Sequence, residues 1–254
     1  MLKFSVSCRK EIELDLRTAA PVLVVEAEIV EEGFARVKLS ETSGFYSSNL
    51  FPSIIGAEVS LASSRGETEQ LHMNSKREFK SSTITGKSNT TYYLTINYKD
   101  KIYNAQSTLY PAVTLDSVVA KSVNPKMAPV FIAYWQDPPG KEIDYYRLRI
   151  YVNDSLEVKQ NFAGSADIYD GEYISTLFMI AEVNYNNEKI YLPGDSIRFD
   201  LLTIDREAGK FFSFLNSNTK TNPPSNITGG ALGYFCAYSV SSQYAEAPYW
   251  ETND

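Results

Sequence analysis

The sequence predicts an all-β fold: two tandem β-sandwich domains, the first immunoglobulin-like and the second fibronectin type III-like, with one short helix in the second. Three observations carry this. Apolar and polar residues alternate with a period of two over most of the chain, turn residues recur at intervals of roughly ten positions, and a less regular stretch near residues 110–125 separates two series of strands. The expected division is residues 1–20 as an N-terminal tether and first strand, 21–112 as the first sandwich and 113–254 as the second.

Taken in order, Ile12, Leu14 and Leu16 alternate with Glu11, Glu13 and Asp15, which marks a half-buried strand. Val22 to Val30 reads as a second strand, turns at Glu32-Gly33, and returns through Ala35 to Ser40 as a hairpin. Residues 41–56 break the alternation. Ala57 to Leu61, short strands around Leu71 and Phe79, Thr91 to Tyr98, a Lys99-Asp100 turn and Ile102 to Thr108 complete the first series. In the second, Val130 to Trp135, then Asp137-Pro138-Pro139-Gly140, then Tyr145 to Val152 form a hairpin-like pair. Trp135, the prolines and alternating Tyr146, Leu148 and Ile150 resemble the B and C strands of fibronectin type III domains. Strands are also expected at 172–180, 187–192, 196–204 and 231–240. A helix near 205–217 follows from Asp205 as its cap, Phe211, Phe214 and Leu215 at helical spacing, and the Pro223-Pro224 stop.

Composition narrows the chemistry. Lys plus Arg number 24 against 31 Asp plus Glu, a net charge of −7, so the chain lacks the positive field on which nucleic-acid binding relies. There are two cysteines, Cys8 and Cys236, and one histidine, His72, too few for a structural zinc site or an ordinary Ser-His or Cys-His pair. No metal, cofactor or disulfide is expected, and His72 reads as a surface or edge residue. No apolar run reaches the length of a spanning helix, and the first eight residues are too short for a signal peptide's apolar stretch. The glycines at Gly194 and at Gly229-Gly230 lack phosphate-cradle spacing. Carboxylates such as Glu31-Glu32 or Asp195 with Asp200 leave hydrolysis open as a rival activity, although neighbours along a strand point apart.

Aromatic residues make up 13% of the chain, and most are absorbed by strand packing. The exception is the loop of residues 41–56: Phe45, Tyr46 and Phe51, with Leu50, Ile54 and Ile55, either pack under the sheet or meet a partner or ligand. Several blocks then act together: Glu11 to Pro21 running into Leu23-Val-Val-Glu26, Pro52 to Val59, Thr91 to Thr95, Gly194 to Ile197 with Ile204-Asp205, and Pro223 to Phe235. Together they resemble a family of exported Bacteroidetes lipoproteins, domain of unknown function family 4249. The resemblance implies export, lipid attachment at Cys8 as the only membrane anchor, residence in the outer membrane facing the cell surface, and a TonB-dependent receptor as partner. It implies no catalytic residues. Asp-Ser-apolar triplets at Ser117, Ser155 and Ser196 resemble O-glycosylation sites of exported proteins in such cells. The expected function is that of a non-catalytic accessory, capturing ligand for a nutrient transporter or acting as its lid. The rivals are a structural or adhesive surface module and a carboxylate-dependent hydrolase.

Overall fold

The computed structural model describes residues 20–43, 54–124, 127–140, 145–156, 162–166, 170–180, 191–215 and 221–250. The described chain is all-β with a single helix, as expected. The first series is β1 (Leu23–Val30), β2 (Phe34–Glu41), β3 (Glu58–Ser63), β4 (Thr68–Met73), β5 (Phe79–Thr85), β6 (Thr90–Tyr98) and β7 (Lys101–Leu109). Alternation sets each buried face. Leu23, Val25, Ala27 and Ile29 of β1 enter the first core with Val59, Leu61, Leu94 and Ile96, while the intervening residues face outward. Lys99 and Asp100 both take left-handed φ values, 49° and 59°, the two-residue turn that matches strand twist.

The second series is β8 (Leu115–Lys121), β9 (Val130–Gln136), β10 (Tyr145–Val152), β11 (Ser155–Leu156), β12 (Phe162–Ser165), β13 (Tyr173–Met179), β14 (Ser196–Ile204), α1 (Arg206–Leu215) and β15 (Leu232–Glu246). One sheet runs β11-β10-β14-β15-β1-β2-β5-β4-β3-β6-β7, with β12 also on β10, and a second sheet is β13-β9-β8. The second core lies between the small sheet and β10 and β14, around Phe131, Trp135, Leu148, Ile150, Phe199 and Leu201.

β15 joins the two halves. Its residues 232–238 run parallel to β1, and 238–246 run antiparallel to β14. Phe235 and Ala237 fill the first core, and Ala247, just past the strand, fills the second. The segment expected as 113–254 thus gives Phe235 and Ala237 to the first core, because residues 232–238 of β15 pair with β1. Gly233 permits the parallel pairing. Its φ is +100°, and a Cβ there would lie 1.9 Å from the Val25 carbonyl oxygen. β7 returns against β15: the Ala237 N–H donates to Ser107 Oγ (2.7 Å), and that hydroxyl donates to Asp205.

Three expectations change. β9 and β10 are not a hairpin but lie in facing sheets, since Pro138 and Pro139, which have no N–H to give a ladder, carry the chain across the core. β8 falls inside the stretch expected to be irregular. The helix begins where Asp205 caps it, Oδ1 accepting the Ala208 N–H at 2.9 Å, but its buried stripe is Ala208, Phe211 and Phe212, with Leu215 exposed. The expected strand at 12–16 and residues 187–190 of another lie outside the described residues.

Opposite β2, residues Ser81 to Ile84 of β5 bulge away from regular pairing, and Glu69 of β4 takes over. Its carboxylate accepts the N–H groups of Ser82 (2.6 Å), Thr83 (3.1 Å) and Ile84 (2.8 Å) and both hydroxyls. Burial opposes ionisation, yet these hydrogen bonds outweigh it and hold the Glu69 pKa at about 2.

Two variants test these devices by urea unfolding. Gly233→Ala is expected to lose about 3 kcal/mol or to prevent folding, against about 1 kcal/mol for Gly230→Ala, which has open space around it. Because the Glu69 pKa is depressed on folding, its contribution is present above the unfolded value and is lost as pH falls towards about 2. Glu69→Gln is therefore expected to cost about 1 kcal/mol at neutral pH, allowing for solvent screening, and nothing below pH ~2.

Candidate functional site

Cys8, Phe45, Tyr46 and Phe51 lie outside the described residues. Of the 41–56 loop, Ile54 is buried in the first core and Ile55 is 75% exposed, so the described end of this segment divides between packing and display. Ser117 is half-buried on β8, while Ser155 and Ser196 are exposed at the starts of β11 and β14. His72 is exposed on β4. Among the described residues, no group of three or more His, Cys, Asp and Glu is placed to hold a metal.

The buried acids are engaged in structure. Asp205 caps α1 and accepts from Ser107 and from Thr108 N–H (3.2 Å), and burial raises its pKa in spite of these bonds. Asp137 accepts from the Tyr146 hydroxyl (2.6 Å) and Gly171 N–H (3.2 Å). Asp200 accepts from Ser242 (2.7 Å) beside Arg198, whereas Asp195 accepts the Leu192 N–H (2.7 Å), so these two acids serve separate local bonds. Glu31 accepts from the Ser88 hydroxyl.

A charged seam crosses β15 on the outer face of the large sheet. Arg149 of β10 donates to Glu28 of β1 at 2.6 Å and to the Tyr238 hydroxyl at 3.1 Å, and the Tyr234 hydroxyl donates to the same Glu28 oxygen at 3.1 Å. Arg147 stacks over Phe212 of α1, 3.8 Å from the ring centre. Burial and the Glu28 charge push Tyr238 up to about 12 and raise Tyr234 further. Burial alone would lower Arg149, but Glu28 and Tyr238 reverse this and keep it charged. The Cys236 thiol beneath is raised by burial, then by Asp205 and Glu28, and is therefore protonated and unreactive at neutral pH. This is a fastener, with no open reacting atom.

The surface that stands out is the outer face of β13-β9-β8. Antiparallel register places Met179, Val130 and Lys121 in one row, Leu177, Ile132 and Val119 in the next, then Ser175, Tyr134 and Ser117. Met179 is 65% exposed, Leu177 55% and Tyr173 56%, and Tyr173 stacks on Tyr134 with ring centres 6.2 Å apart. The β8–β9 loop adds exposed Val123 and Met127. The opposite face of this sheet is already packed in the second core through Phe131, Ala133, Trp135, Ile174 and Phe178. This outer face therefore carries an apolar patch of Leu177, Ile132, Val119, Met179 and Val130 bordered by Lys121, Ser175 and Ser117, whereas an antiparallel sheet at a surface ordinarily shows water its polar side. The signal stood in the sequence: β9 (VFIAYWQ) and β13 (YISTLFM) carry large apolar residues at both parities.

The model of one family, the domain of unknown function DUF4249, matches residues 9–244. The chain belongs to the DUF4249 family. No curated protein matches the sequence. The matched span of this DUF4249 chain includes all fifteen described strands in whole or, for β15, nearly so, and with them the seam and the apolar face.

The seam yields a measurable consequence. Removing the charge in Glu28→Gln leaves Arg149 without its anion and is expected to cost about 2 kcal/mol in urea unfolding, while Glu207→Gln on the exposed helix surface changes stability by less than about 0.5 kcal/mol.

Proposed function

We propose that this DUF4249 chain is a non-catalytic binding subunit, exported and held at the outer membrane by lipid on Cys8, that docks on a TonB-dependent receptor as a capture or lid accessory. The observation that supports docking is the second apolar face of β13-β9-β8, whose Leu177-Ile132-Val119 row carries no charge. A partner of matching chemistry offers an uncharged apolar surface, and Tyr134 and Tyr173 supply the aromatic anchors that dominate interface energies. Phe45, Tyr46 and Phe51 form a second proposed contact. The engagement of the buried acids, Asp205 as a helix cap and Asp137 and Asp200 as acceptors from the Tyr146 and Ser242 hydroxyls, favours binding over hydrolysis.

Affinity capture from native membranes, followed by mass spectrometry, tests the reading. The native chain is expected to recover a TonB-dependent receptor. Ile132→Thr with Leu177→Thr, which keeps strand-forming residues, is expected to recover about a tenth or less at an unchanged melting temperature. Receptor recovery undiminished in this variant and in the triple Phe45, Tyr46 and Phe51→Ser variant removes the proposal.

A further inference from the structure

Among the described residues, the second sandwich has an open side where its two sheets end, at β12 on the large sheet and β13 on the small one. A slot of about 230 Å³ lies between them. Trp135, Tyr146, Leu148, Ile174, Phe178 and Leu201 wall it, and Thr176 contributes a hydroxyl. Among the described residues, no charged side chain lines it.

Gly164 lies exposed at the mouth of the slot and puts no side chain across its opening. Gly164 pairs directly with Tyr146, whose ring is buried in the second core, and residues paired in this way project from the same face. A Cβ built at Gly164 meets nothing within 4 Å, and its backbone is not in the left-handed region that requires glycine. Ala166, the next inward position, is also small. With only hydrogen at the exposed Gly164 and a methyl at Ala166, the slot stays open on one side while buried aromatic and aliphatic side chains wall its interior.

We propose that the slot binds a compact, uncharged, largely apolar small molecule of about the size of a bicyclic aromatic, with one polar group directed to Thr176. Size and lining set the class. An enclosed apolar cavity of about 150 Å³ accepts benzene, so the larger, half-open slot has room for a second ring, and its described lining offers an ion no counter-charge. The assignment stands apart from receptor docking, which uses the other face of β13.

Indole and toluene are the probes, titrated into the purified full chain by calorimetry, with the Trp135 indole resonance as a structural reporter. Indole is expected to bind with a dissociation constant of about 1 mM or tighter and to shift Trp135. Gly164→Phe, which places a ring in the empty space, is expected to weaken both probes about tenfold or more and to raise the melting temperature. Thr176→Val is expected to weaken indole about threefold and leave toluene unchanged. If Gly164→Phe does not fold, Ala166→Leu is read in its place. Failure of both probes to bind the native chain, or binding that survives the plug, overturns the proposal.

Discussion

The parallel pairing of β15 with β1 is the constraint on which the rest depends. A strand from the C-terminal part of the chain completes the first core with Phe235 and Ala237, and its continuation carries β14 and the second core. That pairing needs Gly233, because any Cβ collides with the Val25 carbonyl. Its partners are some two hundred residues apart in sequence, so the loop-closure cost of the first core falls late in folding and slows it. The two halves share one strand, and bending between them would break a continuous ladder.

Electrostatics reinforces the same joint from both sides. On the outer face, Glu28 draws Arg149 and Tyr234 across β15. On the other, Asp205 links α1 to Ser107 of β7, which also receives the Ala237 N–H. Glu28 and Asp205 each accept from several donors, which is the condition under which a charge away from water is tolerated.

How much of this was legible depends on whether the signal was local. Period-two alternation in β1, β2, β6, β10 and β14 places these strands to within a residue or two, and Asp205 marks the helix start, because each depends on nearest neighbours in the chain. The parallel partner of β15 has no local signature: nothing in LGYFCAYSVSSQYAE specifies which strand lies beside it. The false hairpin of β9 and β10 arose from reading proximity as pairing, where two prolines carry the chain between sheets. The apolar face was written in the doubled hydrophobicity of β9 and β13, but both parities of a fully covered strand look the same, so exposure had to come from the structure.

Surface features with binding character gather in the small sheet for a physical reason. The main sheet's cohesion runs through β1, β14 and β15, where a lost side chain opens a core shared by both halves. The small sheet is held by its inner face and by contacts from β8, such as the Leu115 N–H to Ser241 (2.9 Å), and its outer face contributes nothing to either core. Residues such as Leu177 and Met179 are therefore free of packing demands, and hydrophobicity retained there costs solubility without adding stability. The open edge between β12 and β13 is likewise remote from the shared strand. A glycine at the exposed position 164 leaves β15 and its ladders intact, so the fold tolerates an open slot there that it does not tolerate beneath Phe235.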